Sequence, residues 1–243
     1  MTDHTVKAFT EQLESLSALV AQMGGLAESQ FAAANEAIAR RDSSAAESAV
    51  GGDLRIDAIQ QEIEDRALKL LALRQPMAVD LRETLAAIKI AAELERIGDL
   101  AKNIAKRALV LNREPPIRLT QSLAHMGRAA LSQLKQVLDA YSSRNAELAE
   151  AVWNQDDEID EIYNSLFREL LTYMMEDPRT IGLCTHLLFI AKNIERCGDH
   201  ATNIAEVVYH IVRADHLAAN RPKADTTSET SVPFEATRGE AKH

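Results

Sequence analysis

The chain writes one polar sentence twice. Residues 93–105 read ELERIGDLAKNIA, and residues 193–205 read NIERCGDHATNIA, one hundred positions later. Two further matches stand 103 apart: MGGLAESQ from Met23 with MGRAALSQ from Met126, and DLRID from Asp53 with DDEID from Asp156. The change from 103 to 100 means that the second copy lost three residues between Asp160 and Glu195, a loss best placed in a turn. Solenoid and propeller units run to roughly 20 to 50 residues, so a repeat this long is a duplicated domain instead.

Each copy carries helical periodicity three times over. Phe9, Leu13, Leu16, Val20, Met23, Ala27, Phe31, Ala34 and Ile38 recur at steps of three and four, which predicts a long amphipathic helix ending near Arg41. A second helix is expected after GGD, with Ile56, Ile59, Ile63, Ala67 and Leu70 on its apolar face. Pro76 suits the first turn of a third, which runs to about Leu111, where NREPP stops it. In the second copy the same plan predicts helices from about Leu119 to Tyr141, from Glu147 to Glu176 and from Pro178 to Arg213, with Asp177 as an N-cap. The expected fold is all-α: two tandem, pseudo-symmetric three-helix bundles over residues 1–112 and 113–214. Residues 215–243, polar and proline-bearing with one lone Phe234, read as a disordered tail.

Composition supports this class, since 46% hydrophobic residues suffice for a core while aromatics are only 4%. The formal charge of -10 disfavours nucleic acid or anionic lipid as a main partner, because both reward a basic face. Cys184 and Cys197 are the only cysteines, which suggests neither a disulfide framework nor a thiolate metal site. With no basic, apolar-cored leader and no run of about 20 apolar residues, a cytoplasmic location is expected.

The acids carry the functional signal. On the third helix of each copy, Glu95, Asp99 and Asn103, and Glu195, Asp199 and Asn203, point roughly 140° to 180° away from the apolar seam. Such a row is most often a solvated face, and Glu95 could simply pair with Arg96 or Lys102. Two arguments weigh against that. Eight of the eleven positions from Glu95 to Ala105 are identical in Glu195 to Ala205, although exposed positions that need only be polar drift after duplication. The second argument is register. Asp53 and Asp57 on the preceding helix, matched by Asp156 and Asp160, pair with the motif acids about each turn: 57 with 95 and 53 with 99 both average 76, while 160 with 195 and 156 with 199 both average 177.5. An antiparallel hairpin therefore brings four carboxylates to one height in each copy. Clustered carboxylates call for protons, separation or a hard cation such as Mg, Ca, Mn or oxidised Fe. Asp53 and Asp57 lie on the flank of their helix, so they either rim a groove with the motif acids or form a separate acidic face. Gly98 and Gly198 sit inside helices at a cost of about 1 kcal/mol, which points to close approach by a bound group or to tight helix packing.

The duplicated three-helix plan, RQPMAVDLR after the second helix, LERIGDLAKNI on the third and IERCGDHATNI on the sixth resemble the PhoU family of phosphate-specific transport accessory proteins. The resemblance covers residues 6 to 213. It implies E/D-x-x-x-D motifs able to carry iron or other metal clusters (Fe, Mn, Mg or Zn), here Asp53 with Asp57, Glu95 with Asp99, Asp156 with Asp160 and Glu195 with Asp199. It further implies a negative regulator of the phosphate-starvation response that restrains phosphate uptake and connects the PstB ATPase of the transporter with the sensor histidine kinase PhoR. A homodimer, with membrane contact only through partners, belongs to the same expectation. No nucleophile-base set, phosphate loop or dinucleotide fingerprint argues for catalysis. A di-iron carboxylate enzyme draws on an inward E-x-x-H motif, whereas the third position after each Glu here is Gly98 or Gly198. His200 reads as a surface residue or an accessory ligand. A direct phosphate sensor would need bound metal to invert the acidic charge.

Overall fold

The computed structural model describes residues 2–74, 78–115, 120–217, 225 and 227; for residues 2–9, 74, 78 and 156 it describes the backbone alone. Six long helices form as the periodicity predicts. They are α1 (Thr2–Ala39), α3 (Asp53–Arg74), α4 (Ala78–Leu111), α5 (Thr120–Ser143), α7 (Asp156–Glu176) and α8 (Ile181–Arg213). Between them lie two short helices, α2 (Ser43–Gly51) and α6 (Ala146–Trp153). No strand occurs among the described residues.

The short helices add to and correct the expected plan. Residues 43–51, between the first and second expected helices, form a helix of their own, and the helix expected from Glu147 to Glu176 is broken at Asn154 and Gln155. Both short helices begin by one recipe, written 103 residues apart. Arg41 and Arg144 adopt left-handed φ values of 55° and 51°, which ends α1 and α5. The next residue then caps a new helix: Asp42 accepts from the backbone N–H groups of Ser44 (2.8 Å) and Ala45 (3.1 Å), and Asn145 from that of Leu148 (3.0 Å). Asp177 caps a 3-10 turn, Pro178–Thr180, rather than α8 itself, accepting from the Arg179 N–H at 3.0 Å. Pro76 and Leu119, expected at helix starts, lie outside the described residues, as does the tail apart from residues up to Leu217 and from Asp225 and Thr227.

The four longest amphipathic elements, α1, α4, α5 and α8, pack as a closed ring, each against two others. Helices α2 and α3 cover the α1/α4 side, while α6 and α7 cover the α5/α8 side. One continuous core results, running from Leu16, Met23 and Phe31 through Ile90, Leu94 and Ile97 to Met126, Ile190 and Ile204. Full burial of each such side chain stabilises the fold by roughly 1.5 to 3 kcal/mol.

Small residues let the two copies meet closely. A Cβ on Gly24 would fall 2.5 Å from Leu138 Cδ2, and one on Gly127 would fall 2.3 Å from Asn35 Oδ1. Gly24 corresponds to Gly127 and Asn35 to Leu138, so these are the same contact repeated about a pseudo-two-fold axis. Asn35 Nδ2 also donates to the Gly127 carbonyl at 3.2 Å. Across the other junction, Glu93 of α4 meets α8 at Asn203, and the Arg107 guanidinium sits 4.2 Å from the centre of the Phe189 ring. The two helices therefore run antiparallel.

Candidate functional site: two carboxylate grooves

In each repeat the acids whose side chains are described lie along the groove between the second and third long helices. The glycines make that groove. A Cβ on Gly98 would come within 3.0 Å of Ile56 Cδ1 and 3.2 Å of Gln30 Oε1; one on Gly198 would come within 2.9 Å of Ile159 Cδ1 and 3.1 Å of Gln133 Oε1. Ile56 sits between Asp53 and Asp57, and Ile159 between Asp156 and Asp160. Close packing of isoleucine on glycine is thus what seats each acidic pair beside the motif acids. The glutamines also anchor the short helices: Gln30 Nε2 donates to Ala49 O at 2.7 Å, and Gln133 Nε2 to Val152 O at 3.3 Å.

In the first groove Asp53 is buried, Asp57 and Glu95 are partly buried, and the Asp99 side chain is 41% exposed. Burial pushes the Asp57 carboxyl above its ordinary value, with Asp53 and Asp99 adding to the rise and Lys102 opposing it. Glu95 is likewise raised, first by burial; Arg96 pulls it down, and Asp99, Asp57 and Asp53 push it back up. These mutual effects place all four acids in one field, as the hairpin register requires. Two cations compensate. Lys102 Nζ donates to Asp53, and Arg96 lies 3.4 Å from Glu95 and 3.7 Å from Asp99.

The second groove is tighter. Glu195 is only 5% exposed, and burial raises its carboxyl to about 7; the Lys192 hydrogen bond pulls it down, while Asp199 and Asp160 reinforce the rise. Asp160 is buried as well. The side chain of Asp156 lies outside the described residues. Lys192 Nζ donates to Glu195 Oε1 at 2.8 Å and to Asp225 Oδ2 at 2.9 Å. Helical phase alone turns the motif acids to solvent, but α7 covers that flank over the buried Glu195 and α3 partly covers Glu95, while Asp99 keeps a 41% exposed side chain.

His200 is neither a free surface residue nor part of the second groove. Its Nδ1 lies 2.6 Å from Glu93 Oε2, which also accepts from Asn203 Nδ2 at 3.1 Å, so it links the two repeats. Burial would raise the Glu93 carboxyl, yet the hydrogen bonds from His200 and Asn203, with the charges of His200 and Arg96, hold it below its ordinary value. Spacing could have flagged Lys102 and Lys192, each three residues from a motif acid. No sequence signal pointed to Asp225.

The donor set consists of hard oxygens, suited to Fe, Mn, Mg or Ca. Glu195 Oε2 is buried and accepts no hydrogen bond. As the side chains stand, no three His, Cys, Asp or Glu among the described residues converge closely enough to hold one ion. Ammonium groups sit on the acids: Lys102 on Asp53 and Lys192 on Glu195. Cys184 and Cys197 are both buried free thiols. No helix among the described residues is long and apolar enough to cross a membrane.

The PhoU domain family model matches this chain twice, over residues 20–108 and 123–208. A phosphate-specific transport system accessory protein PhoU homolog of Caulobacter vibrioides is 56% identical over 230 residues, 94% of this chain and 100% of that protein. The crystal structure of PhoU from Pseudomonas aeruginosa superposes with a TM-score of 0.83 at 37% identity, over 85% of this chain and all of that one. The phosphate transport system regulatory protein PhoU from Streptococcus pneumoniae superposes with a TM-score of 0.79 at 29% identity, covering 86% of this chain and 99% of that one.

Proposed function

The chain belongs to the PhoU family, and on that premise we propose that it is a regulatory accessory protein of a phosphate-specific transport system. In this reading it is a non-catalytic adaptor. It meets the PstB ATPase of the transporter and the sensor histidine kinase PhoR in the cytoplasm, restrains uptake, and keeps the phosphate-starvation response off when phosphate is plentiful. The observation that carries the reading is 56% identity along the full length of a relative bearing the accessory-protein name. The geometry is compatible with it: the polar residues that the duplication retains line two grooves rather than a nucleophile-base constellation. Deleting the gene is expected to raise phosphatase expression in phosphate-replete cells, and an unchanged level overturns the adaptor reading.

The same reading assigns the grooves to metal, iron first, with Mn, Mg or Zn as alternatives. Asp53, Asp57, Glu95 and Asp99 would hold it in the first repeat, and Asp156, Asp160, Glu195 and Asp199 in the second. What a bound ion supplies is positive charge that relieves carboxylate repulsion, and with it a docking surface of altered sign. Support comes from the unsatisfied Glu195 Oε2 and from the raised carboxyls of Asp57, Glu95 and Glu195. Elemental analysis of protein purified without chelator is expected to find metal, and to find it lost in an Asp99→Ala, Asp199→Ala double variant. Metal-free wild-type protein sinks this assignment.

A further inference from the structure

Away from the two carboxylate grooves, the outer junction between α4 and α8 holds a cavity of about 330 Å³, within the range of small-ligand sites. Arg82 and Lys89 line it from one face of α4, two helical turns apart, and Glu206 and His210 line it from α8. His216, just past the end of α8, stacks on His210 with ring centres 4.4 Å apart. On a chain of formal charge -10 this lining is cationic, with two permanent cations and two imidazoles against one carboxylate. Neither Arg82 nor Lys89 forms an ion pair with a described residue. Arg82 Nε is buried and has no hydrogen-bond partner, so a donor of a charged group stands unsatisfied. His210 donates its Nδ1–H to the Asp215 carbonyl at 3.2 Å, which leaves Nε2 for a ligand. Glu206 accepts from Trp153 Nε1 through Oε1 at 3.0 Å, which leaves Oε2.

We propose that this cavity binds a tetrahedral oxyanion that still carries a proton: a phosphoryl group, as inorganic monohydrogen phosphate or on a small phosphomonoester. Arg82 and Lys89 supply charge-assisted donors, and the guanidinium fork suits two oxygens of one tetrahedral centre. His210 Nε2 donates as imidazolium, or accepts from a P–OH group when neutral. Glu206 gives the site its selectivity. A carboxylate oxygen only accepts, so it repels a fully deprotonated dianion such as sulfate and takes a hydrogen bond from a phosphoryl oxygen that keeps its proton. The acidic grooves repel the same anion unless a cation reverses their charge, whereas this cavity attracts it with the chain's own side chains. Duplication did not copy the site. One hundred residues on, Arg82 and Lys89 become Gly182 and Phe189, and the counterpart of His210 is Val110. There the Arg107 guanidinium lies over the Phe189 ring, so a stacked pair stands where the other end of the junction holds a cavity. One anion site per chain follows, held by one helix from each repeat and independent of the metal assignment.

The test is calorimetric titration of the full-length protein with inorganic phosphate near pH 8, with a chelator present so that the grooves hold no metal. Wild-type protein is expected to bind one phosphate per chain. Arg82→Gln and Lys89→Gln each weaken binding roughly tenfold or more, as loss of a charge-assisted hydrogen bond does, while Asp99→Asn in the first groove leaves it unchanged. Sulfate binds roughly tenfold more weakly than phosphate, and Glu206→Gln removes that preference. Adenosine monophosphate is the ester probe: binding tighter than that of phosphate, with adenosine itself inert, assigns the site to an ester, and equal or weaker binding assigns it to the free ion. Circular dichroism checks that each variant keeps its helices, and Lys89, which is exposed, tests the site without touching the core. Failure of both probes to bind at millimolar concentration overturns the proposal. So does binding that survives in an Arg82→Gln, Lys89→Gln double variant, that requires the chelator to be left out, or that sulfate matches in the wild type.

Discussion

The two grooves share their backbone and their acids but not their counter-ions. In the first, Lys102, three residues after Asp99, pairs with Asp53; in the second, the equivalent position is Thr202, whose hydroxyl instead accepts from Gln133 Nε2 at 3.2 Å. The second groove draws its ammonium from Lys192, three residues before Glu195, where the first copy has Ala92. A lysine on a flexible stem reaches the same carboxylates from either side, so its position is free to change after duplication. The acids, the glycine and the isoleucine are not free, because each is held by a packing contact or by its neighbours' charge. What duplication retained is therefore the anionic groove, and what diverged is which lysine neutralises it.

The sharpest way to break this comparison is at the glycines. Gly198→Val is expected to destabilise the fold by about 3 kcal/mol, since extra methyl groups must enter a contact already at 2.9 Å from Ile159 and 3.1 Å from Gln133. Gly98→Val should cost nearly as much, and a gap of more than a few tenths of that loss in chemical denaturation would end the equivalence of the two hairpins. Next in size is Glu195→Gln. A carboxyl raised from 4.5 to about 7 binds its proton more tightly in the folded state, so stability falls as pH rises between those values and stays low above them. The amide removes that loss, and melting curves at pH 8 should show it more stable by roughly 2 kcal/mol, with little change at pH 4. Glu95→Gln should shift stability in the same direction by less, in keeping with its greater exposure; an equal shift would show that the grooves are buried alike.

The smallest effect concerns the junction between the copies. Glu93 is depressed in the folded state, so its contribution is present above the ordinary carboxyl value of 4.5 and is lost as pH falls below it. Glu93→Gln should cost about 1 kcal/mol at pH 7 and progressively less as pH falls below 4.5, read from the melting temperature across pH. A cost that does not fall with pH would assign the contact to packing rather than to charge.

Much of the site was legible because an antiparallel hairpin converts distance from its turn into height. Pairing 53 with 99 and 57 with 95 needed no coordinates; in the structure Asp53 and Asp99 raise the Asp57 carboxyl, and Asp99, Asp57 and Asp53 raise that of Glu95. Azimuth was not legible. Helical phase turned Glu195 away from its own seam, but whether another helix covers that flank depends on the rotation of α7, which the Ile159 and Gly198 contact sets. The short helices escaped notice for a related reason: SSAAESAVG reads as a polar connection until its buried alanines, Ala46 and Ala49, are given something to pack against.

Periodicity, the hundred-residue duplication and the paired acidic spacings by themselves determined an all-α protein of two related halves with an acidic cluster in each. They do so because helix period and hairpin register are local properties of the chain. Only the tertiary structure decided that the halves share one core, that Glu195 is buried while Asp99 is half exposed, and that Lys192 and Asp225 complete the second groove alone. Burial and charge pairing are set by which surfaces meet, and residues 33 positions apart, as Lys192 and Asp225 are, carry no sequence pattern that announces their contact.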